Sequence, residues 1–284
     1  MTVDSRLTLV REDLASQALE GLVRAPRFVT PSPRQAAEAR LAIRRSPDRD
    51  AEQVSQLILG ERFDIIDECN GFAWGQAARD GYVGWVDIAG LTDGWRAPTH
   101  RVTALSTFRF ASPSLKSPAS GPVSLNALVS VEEIAGDYAR LSAGGWMPSR
   151  HLTPVGEDFA APATTAEVHI GTPYLWGGRD SQGLDCSGLV QQCMFAAGLA
   201  CPRDSDQQAQ LGRPAPTPDL IRGDLVFWAG HVGMMLDAER LIHANAFHMA
   251  VAVEPLCEAV DRIDAKGGGH PIAYRRPDLL PSSA

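Results

Sequence analysis

GTPYLWGGRDSQGLDCSGLVQQCMFAAGLACPRDSDQQAQLG, residues 171–212, changes character part-way along. It opens as a turn-rich loop carrying Gly177, Gly178 and Gly183 and then becomes helical. Leu189, Val190, Cys193, Met194 and Ala197 fall at helical spacing, and Gly198 supplies a C-terminal stop. Four short runs follow: DLVFWAG (224–230), HVGMMLD (231–237), RLIHANA (240–246) and MAVAVEPL (249–256). They read as successive strands. One helix followed by an antiparallel run predicts an α+β domain over residues 156–284.

Upstream, residues 40–155 show short apolar runs broken by Gly, Asp, Asn and Pro, the marks of an all-β region. They contain a near-repeat. LILGERFDIIDECNGFAWGQAARDGYVGWVDIAGL (57–91) lies over VSLNALVSVEEIAGDYARLSAGGWMPSRHL (123–152). Phe72 and Trp74 match Tyr138 and Arg140, and Trp85 matches Trp146 at a Gly-Trp step. Two small barrels, 40–96 and 97–155, explain this better than two unrelated hairpins in one sandwich. Residues 1–39 read as a helix followed by a linker. Leu7, Val10, Leu14, Leu19 and Leu22 recur at roughly helical intervals, and the Pro-bearing stretch 25–41 follows.

Composition fits a soluble globular protein, with 44% hydrophobic and 21% charged residues. A formal net charge of -8 gives no basic footprint, so neither nucleic acid nor an anionic membrane is an expected partner. The first residues alternate charged and apolar side chains, unlike a secretory leader. Five cysteines without the spacing of a disulfide framework then suggest reduced thiols and a cytoplasmic setting. No Cys/His pair has zinc-finger spacing, so neither a metal nor another cofactor is expected.

The chemistry concentrates at Cys186. It opens a helix, where unpaired N–H groups and a partial positive charge favour a thiolate. His231 begins one strand and His243 lies in the next, so a hairpin could set the two imidazoles side by side. His231 would then accept the thiol proton while His243 fixes its tautomer. From these residues alone a nucleophile and a buried structural thiol both remain open.

Six ordered blocks, PYLWGG, LDCSGLV, PRDSDQQ, RGDLVFW, GHVGMML and LIHANA, resemble the NlpC/P60 family of bacterial cell-wall peptidases. The barrels resemble bacterial SH3-type domains. The resemblance implies a papain-like core with Cys186 as nucleophile, His231 as base and His243 as orienting residue, and with Tyr174 near the oxyanion. It also implies cleavage between γ-D-glutamate and a diamino acid (meso-diaminopimelate or L-lysine) in peptidoglycan stem peptides. SH3-type domains before such a core resemble a subgroup that requires a free N-terminal L-alanine. Its amine would meet Asp185, Ser205, Tyr82 and, less directly, Glu61, with Arg203 meeting a carboxylate or bracing the loop. Recycling of murein peptides is the implied setting. The residues themselves also allow plainer roles: Asp185 and Ser205 as helix caps, Tyr82 and Glu61 as barrel surface. An acyltransferase or amidase on the same core, or a non-catalytic wall-binding protein, are the alternative functions.

Overall fold

The structure is a computed structural model that describes residues 4–157, 160–217 and 219–278. The chain divides into two compact units, Met1–Val155 and Gly156–Ala284. Among the described residues no helix is long and apolar enough to cross a membrane.

The first unit is all β, and five strands of its first half recur in the same order in its second. In the first half the sheet runs Ser32–Gln35, Arg62–Cys69, Phe72–Ala77, Val83–Asp87, Arg40–Arg44, Gln53–Ile58. In the second, Val131–Ala135, Tyr138–Leu141, Trp146–Pro148, Ser106–Phe110 and Ala119–Ser124 follow in the same spatial order. The registers coincide as well. Trp74 pairs with Trp85 and Phe72 with Asp87, while Arg140 pairs with Trp146 and Tyr138 with Pro148. Even the bulge recurs, between Ile65 and Asp67 in one copy and between Val131 and Glu133 in the other. Each closing strand runs into a short 3-10 turn, Ile88–Gly90 or Ser149–His151.

The expectation of an N-terminal helix is corrected. Residues 4–24 hold only the two-residue strand Ala15–Ser16 and the 3-10 turn Gln17–Leu19. Residues 1–3 lie outside the described residues. The reason is tertiary: Leu9 and Leu14 are buried against Ile66, Phe72, Trp74 and Trp85 of the first barrel. The backbone bonds outward too, with Val83 N donating to Arg6 O and Gln76 Nε2 to Leu7 O. A segment whose carbonyls are taken by the barrel does not close helical turns. Leu22, counted into the helical pattern, is exposed. The linker expectation shifts likewise, because Ser32–Gln35 is a strand paired with Arg62–Cys69, so the first barrel begins before residue 40. Pro33 is tolerated there because this strand lies at the sheet edge.

The second unit is α+β. Its antiparallel sheet runs Arg213–Pro214, Ala273–Arg276, Leu225–Trp228, His231–Met235, Arg240–Asn245, Ala250–Pro255. Helix Cys186–Ala196 packs on one face, sharing a core with Leu225, Phe227, Val232, Met234 and Ile242. On the other face Val226, Trp228, Met235 and Leu241 pack with Ala259 of helix Leu256–Ala265. The alternation of these strand residues between two cores is the period-two rule of a sheet covered on both sides. Every residue of Cys186–Ala196 is buried, so this is a central helix rather than an amphipathic surface one. Gly198, at φ +74°, ends it as the spacing predicts.

Candidate active site

Asp185 caps the helix that Cys186 opens, accepting from Gly188 N at 2.7 Å and Ser187 Oγ at 3.2 Å. Gly177 N donates to its other oxygen at 2.9 Å. Arg203, almost fully buried, grips the same carboxylate through both terminal nitrogens, at 3.0 and 2.5 Å, and reaches Ser187 Oγ at 2.8 Å. The preceding loop closes on the helix with no room for a side chain: a Cβ on Gly188 would stand 2.1 Å from Gly178 O. Glycine here serves close backbone approach.

The Cys186 thiol is held up at about 12, first by burial and then by the nearby Asp185 carboxylate, against the opposing backbone N–H of Val232. Burial and the Asp185 carboxylate thus act against the thiolate that the helix terminus favours. The helix supplies partial charge, but the Asp185 cap offsets it and desolvation of a buried sulfur outweighs it. His231 is displaced in the neutral direction too, down to about 3, by burial and then by His243 and Arg262. Burial opposes a charge on either partner, which favours thiol and neutral imidazole at rest.

The two histidines do meet across the hairpin. His231 Nε2 lies 2.8 Å from His243 Nδ1. The strands register Met234 against Ile242 and Met235 against Leu241, which makes His231 and His243 diagonal neighbours on one face. The next strand repeats the step. His243 faces Ala252, and Glu254, two residues on, puts Oε1 2.6 Å from His243 Nε2. Arg262, from helix Leu256–Ala265, bonds the same Glu254 oxygen. Trp228, at the foot of the neighbouring strand, lays its ring 5.7 Å from that of His231. Tyr174 packs against the core that contains Cys186, and burial, with the sulfur nearby, lifts its hydroxyl to about 12, so it stays a neutral donor.

The remaining sequence-derived residues fall in two places. Ser205 opens the short helix Ser205–Gln208, partly exposed, two residues beyond Arg203; its cap is Asp204, not Ser205. Tyr82 and Glu61 belong to the first barrel and neither is surface. Tyr82 lies in its core, and Glu61 is buried with Ile58 N and Arg79 Nη1 as donors at 3.1 and 3.0 Å. Sequence reasoning missed Glu254 and Arg262. Glu254 had a signal, a carboxylate breaking the apolar run MAVAVEPL as His243 breaks its own strand; Arg262 had none beyond an amphipathic helix. His243, His248 and Glu254 bring potential ligand atoms within 4.8 Å of one another. Arg262 bonds the Glu254 oxygen that also faces His243.

Residues 171–260 match the NlpC/P60 family, and residues 43–91 match the bacterial dipeptidyl-peptidase Sh3 domain. The chain carries an NlpC/P60 domain. All the helix, hairpin and relay residues from Tyr174 to Glu254 fall inside that match. The γ-D-glutamyl-L-lysine dipeptidyl-peptidase of Bacillus subtilis is 33% identical over 104 residues, covering 34% of this chain and 35% of the relative. The protein of the same name from Bacillus cereus is 28% identical over 236 residues, 71% of this chain and 70% of the relative. The chain thus spans about a third of the length of the Bacillus subtilis relative. A crystal structure of an NlpC/P60 family protein from Bacillus cereus shares the fold at TM-score 0.72 and 20% identity, covering 88% of this chain and 100% of that one.

Proposed function

We propose that the protein is a cysteine peptidase that cuts the γ-D-glutamyl–diamino acid bond of murein stem peptides whose N-terminal L-alanine is free. The reading is carried by Cys186 at the start of a buried helix, packed against the strand that opens with His231, which is bonded to His243. The dipeptidyl-peptidase names of the Bacillus relatives support the substrate and the requirement for a free amine.

The chemistry follows from the resting charges. His231 Nδ1, the nitrogen not engaged with His243, accepts the thiol proton as sulfur attacks the carbonyl carbon. Proton transfer within the reaction replaces a preformed ion pair, because burial opposes either charge alone. The Cys186 N–H at the helix start and the neutral Tyr174 hydroxyl are the donors for the oxyanion. The imidazolium then returns its proton to the departing amine, and water releases the dipeptide from sulfur by the reverse path.

Ser205, partly exposed, is the core group assigned to the substrate amine. Asp185 has its acceptors filled by Arg203 and backbone amides, so it meets an ammonium only by exchanging a donor. Soluble fragments in cytoplasmic recycling are the setting this substrate suits.

The test is release of diamino acid from L-Ala-γ-D-Glu-meso-diaminopimelate and its L-lysine counterpart under reducing conditions, beside N-acetylated peptides and intact sacculi. Cleavage of the free-amine peptides, lost in Cys186→Ala and weak on the acetylated ones, is expected. Equal cleavage of acetylated peptide overturns the amine requirement, and cleavage by Cys186→Ala overturns the mechanism. Transfer to an added amine in preference to water would assign an acyltransferase instead.

A further inference from the structure

Three side chains on three adjacent strands form a diagonal staircase, His231 to His243 to Glu254, closed by Arg262 from the helix beyond. We propose that Glu254, clamped by Arg262, is the terminal acceptor of a relay that fixes the protons on both histidines and leaves His231 Nδ1 bare to act as the base. The inference rests on His231 serving Cys186, though not on the identity of the peptide cut.

Proton counting carries it. A neutral imidazole has one N–H. A carboxylate at 2.6 Å from His243 Nε2 requires that nitrogen to donate, since a bare nitrogen there would oppose two lone pairs. His243 Nδ1 is then bare, and at 2.8 Å it can only accept, so His231 Nε2 carries the next proton. His231 Nδ1 is left without one. The opposite order would put a proton on the nitrogen that must receive the thiol's.

Arg262 has a separate task. Burial acts to raise the Glu254 carboxyl, but the bonds from His243 and Arg262 outweigh it and hold the group below the usual carboxylate range. The charges facing His243 are Glu254 on one neighbouring strand, His231 on the other, Arg262 from the helix and His248 from the turn. Burial holds His243 down; Glu254 alone would raise it, and Arg262 and His248 oppose that. Without the guanidinium, His243 would take a second proton more readily. Its Nδ1–H would then donate to His231 Nε2 and push the His231 proton onto Nδ1, switching the base off. Arg262 itself is steadied by Phe247, whose ring lies 4.5 Å from the guanidinium carbon.

The experiment uses the full chain with 15N-labelled histidine, and Cys186 alkylation by iodoacetamide followed by peptide mass spectrometry, neither of which needs a substrate. In the parent, protons on Nε2 of both His231 and His243 are expected; a proton on His243 Nδ1 overturns the proposal. Glu254→Gln can donate as well as accept, so mixed tautomers and an alkylation rate lower by about tenfold or more are expected, with the melting temperature little changed. A folded Glu254→Gln protein with parental tautomers and a rate within about twofold overturns it. Arg262→Gln keeps a donor but removes the charge, so the acid limb of the alkylation profile moves to higher pH; an unmoved limb overturns Arg262's part. Glu254→Asp, which keeps the carboxylate, serves if Glu254→Gln does not fold and recovers the parental tautomers. A protein with these tautomers that cleaves no murein peptide would sink the proposed substrate and leave the relay standing.

Discussion

Arg203 and Asp185 show how a buried ion pair is kept at a site that handles charge. Breaking such a pair from one side costs about 3–5 kcal/mol, because the surviving charge stays buried and unpaired. Arg203→Met is therefore expected to lower stability by that order, read as a falling melting temperature, and to loosen the helix start at Cys186. Arg203→Met with Asp185→Asn together should recover part of the loss; no recovery would mean that Arg203 acts by packing alone. His169 gives a pH prediction. Its ring is fully buried, neither nitrogen has a hydrogen-bond partner among the described residues, and burial takes it down to about 4. The folded value lies below the ordinary 6.5, so its contribution is intact above pH 6.5 and is lost as pH falls towards 4. At about 1.4 kcal/mol per unit this is on the order of 3 kcal/mol. His169→Met should flatten the acid side of the stability profile over that window, and an unchanged slope in urea titrations would refute it. At this scale the sequence reveals types and not partners. Cys186, His231 and His243 stood out as polar residues in apolar surroundings, whereas the Asp185–Arg203 grip needs two loops folded together, and the Glu254 step needs three strands in register.

Elements were legible where their periodicity is set by their own neighbours. The strands around Leu225–Trp228 and His231–Met235 and the helix from Cys186 could be read because each packs along its whole length. The N-terminal segment could not, because its spacing imitates a helix while its partner lies tens of residues away. Leu14, wholly buried, and Leu9 meet the tryptophans of the barrel, and Arg11 lies over Trp74 with its guanidinium carbon 4.6 Å from the ring while pairing with Asp67. The segment is thus a strap that completes the barrel's outer packing. Leu14→Ala is expected to cost about 2–5 kcal/mol, in the range for a buried leucine. Leu22→Ala, on an exposed residue, should stay within about 0.5 kcal/mol. An isolated helix would reverse neither value, so chemical denaturation of the two variants separates strap from helix only when joined to the burial of Trp74. Its fluorescence should shift to the red in Leu14→Ala and not in Leu22→Ala.

Over the whole first unit the repeat predicts two barrels, but their sequence does not say that they interlock. The link is made at three points, one of them between backbones. Leu128 N donates to Leu59 O at 2.9 Å, Arg79 Nη1 bridges Glu61 and Asn126 O at 3.0 Å each, and Leu59 packs into the second barrel's core. Gly60 sits where the two backbones approach, at φ +83°, with the space for a Cβ only 1.8 Å from Leu128 O. Gly60→Ala must therefore both strain its own backbone and push the barrels apart, a loss of at least about 2 kcal/mol. Gly136 is the control: its φ is +60° but a Cβ there meets nothing within 4 Å, so Gly136→Ala carries backbone strain alone. Hydrogen exchange distinguishes the cases. In Gly60→Ala, protection should fall together around Leu57–Ile58 and around Val102 and Val129, which are buried in opposite barrels. In Gly136→Ala the loss should stay within the Val131–Ala135 and Tyr138–Leu141 hairpin. If Gly60→Ala weakened only the first barrel, the contact at Leu128 would be passive, and Glu61 would be buried for the sake of one barrel rather than for the joint between them.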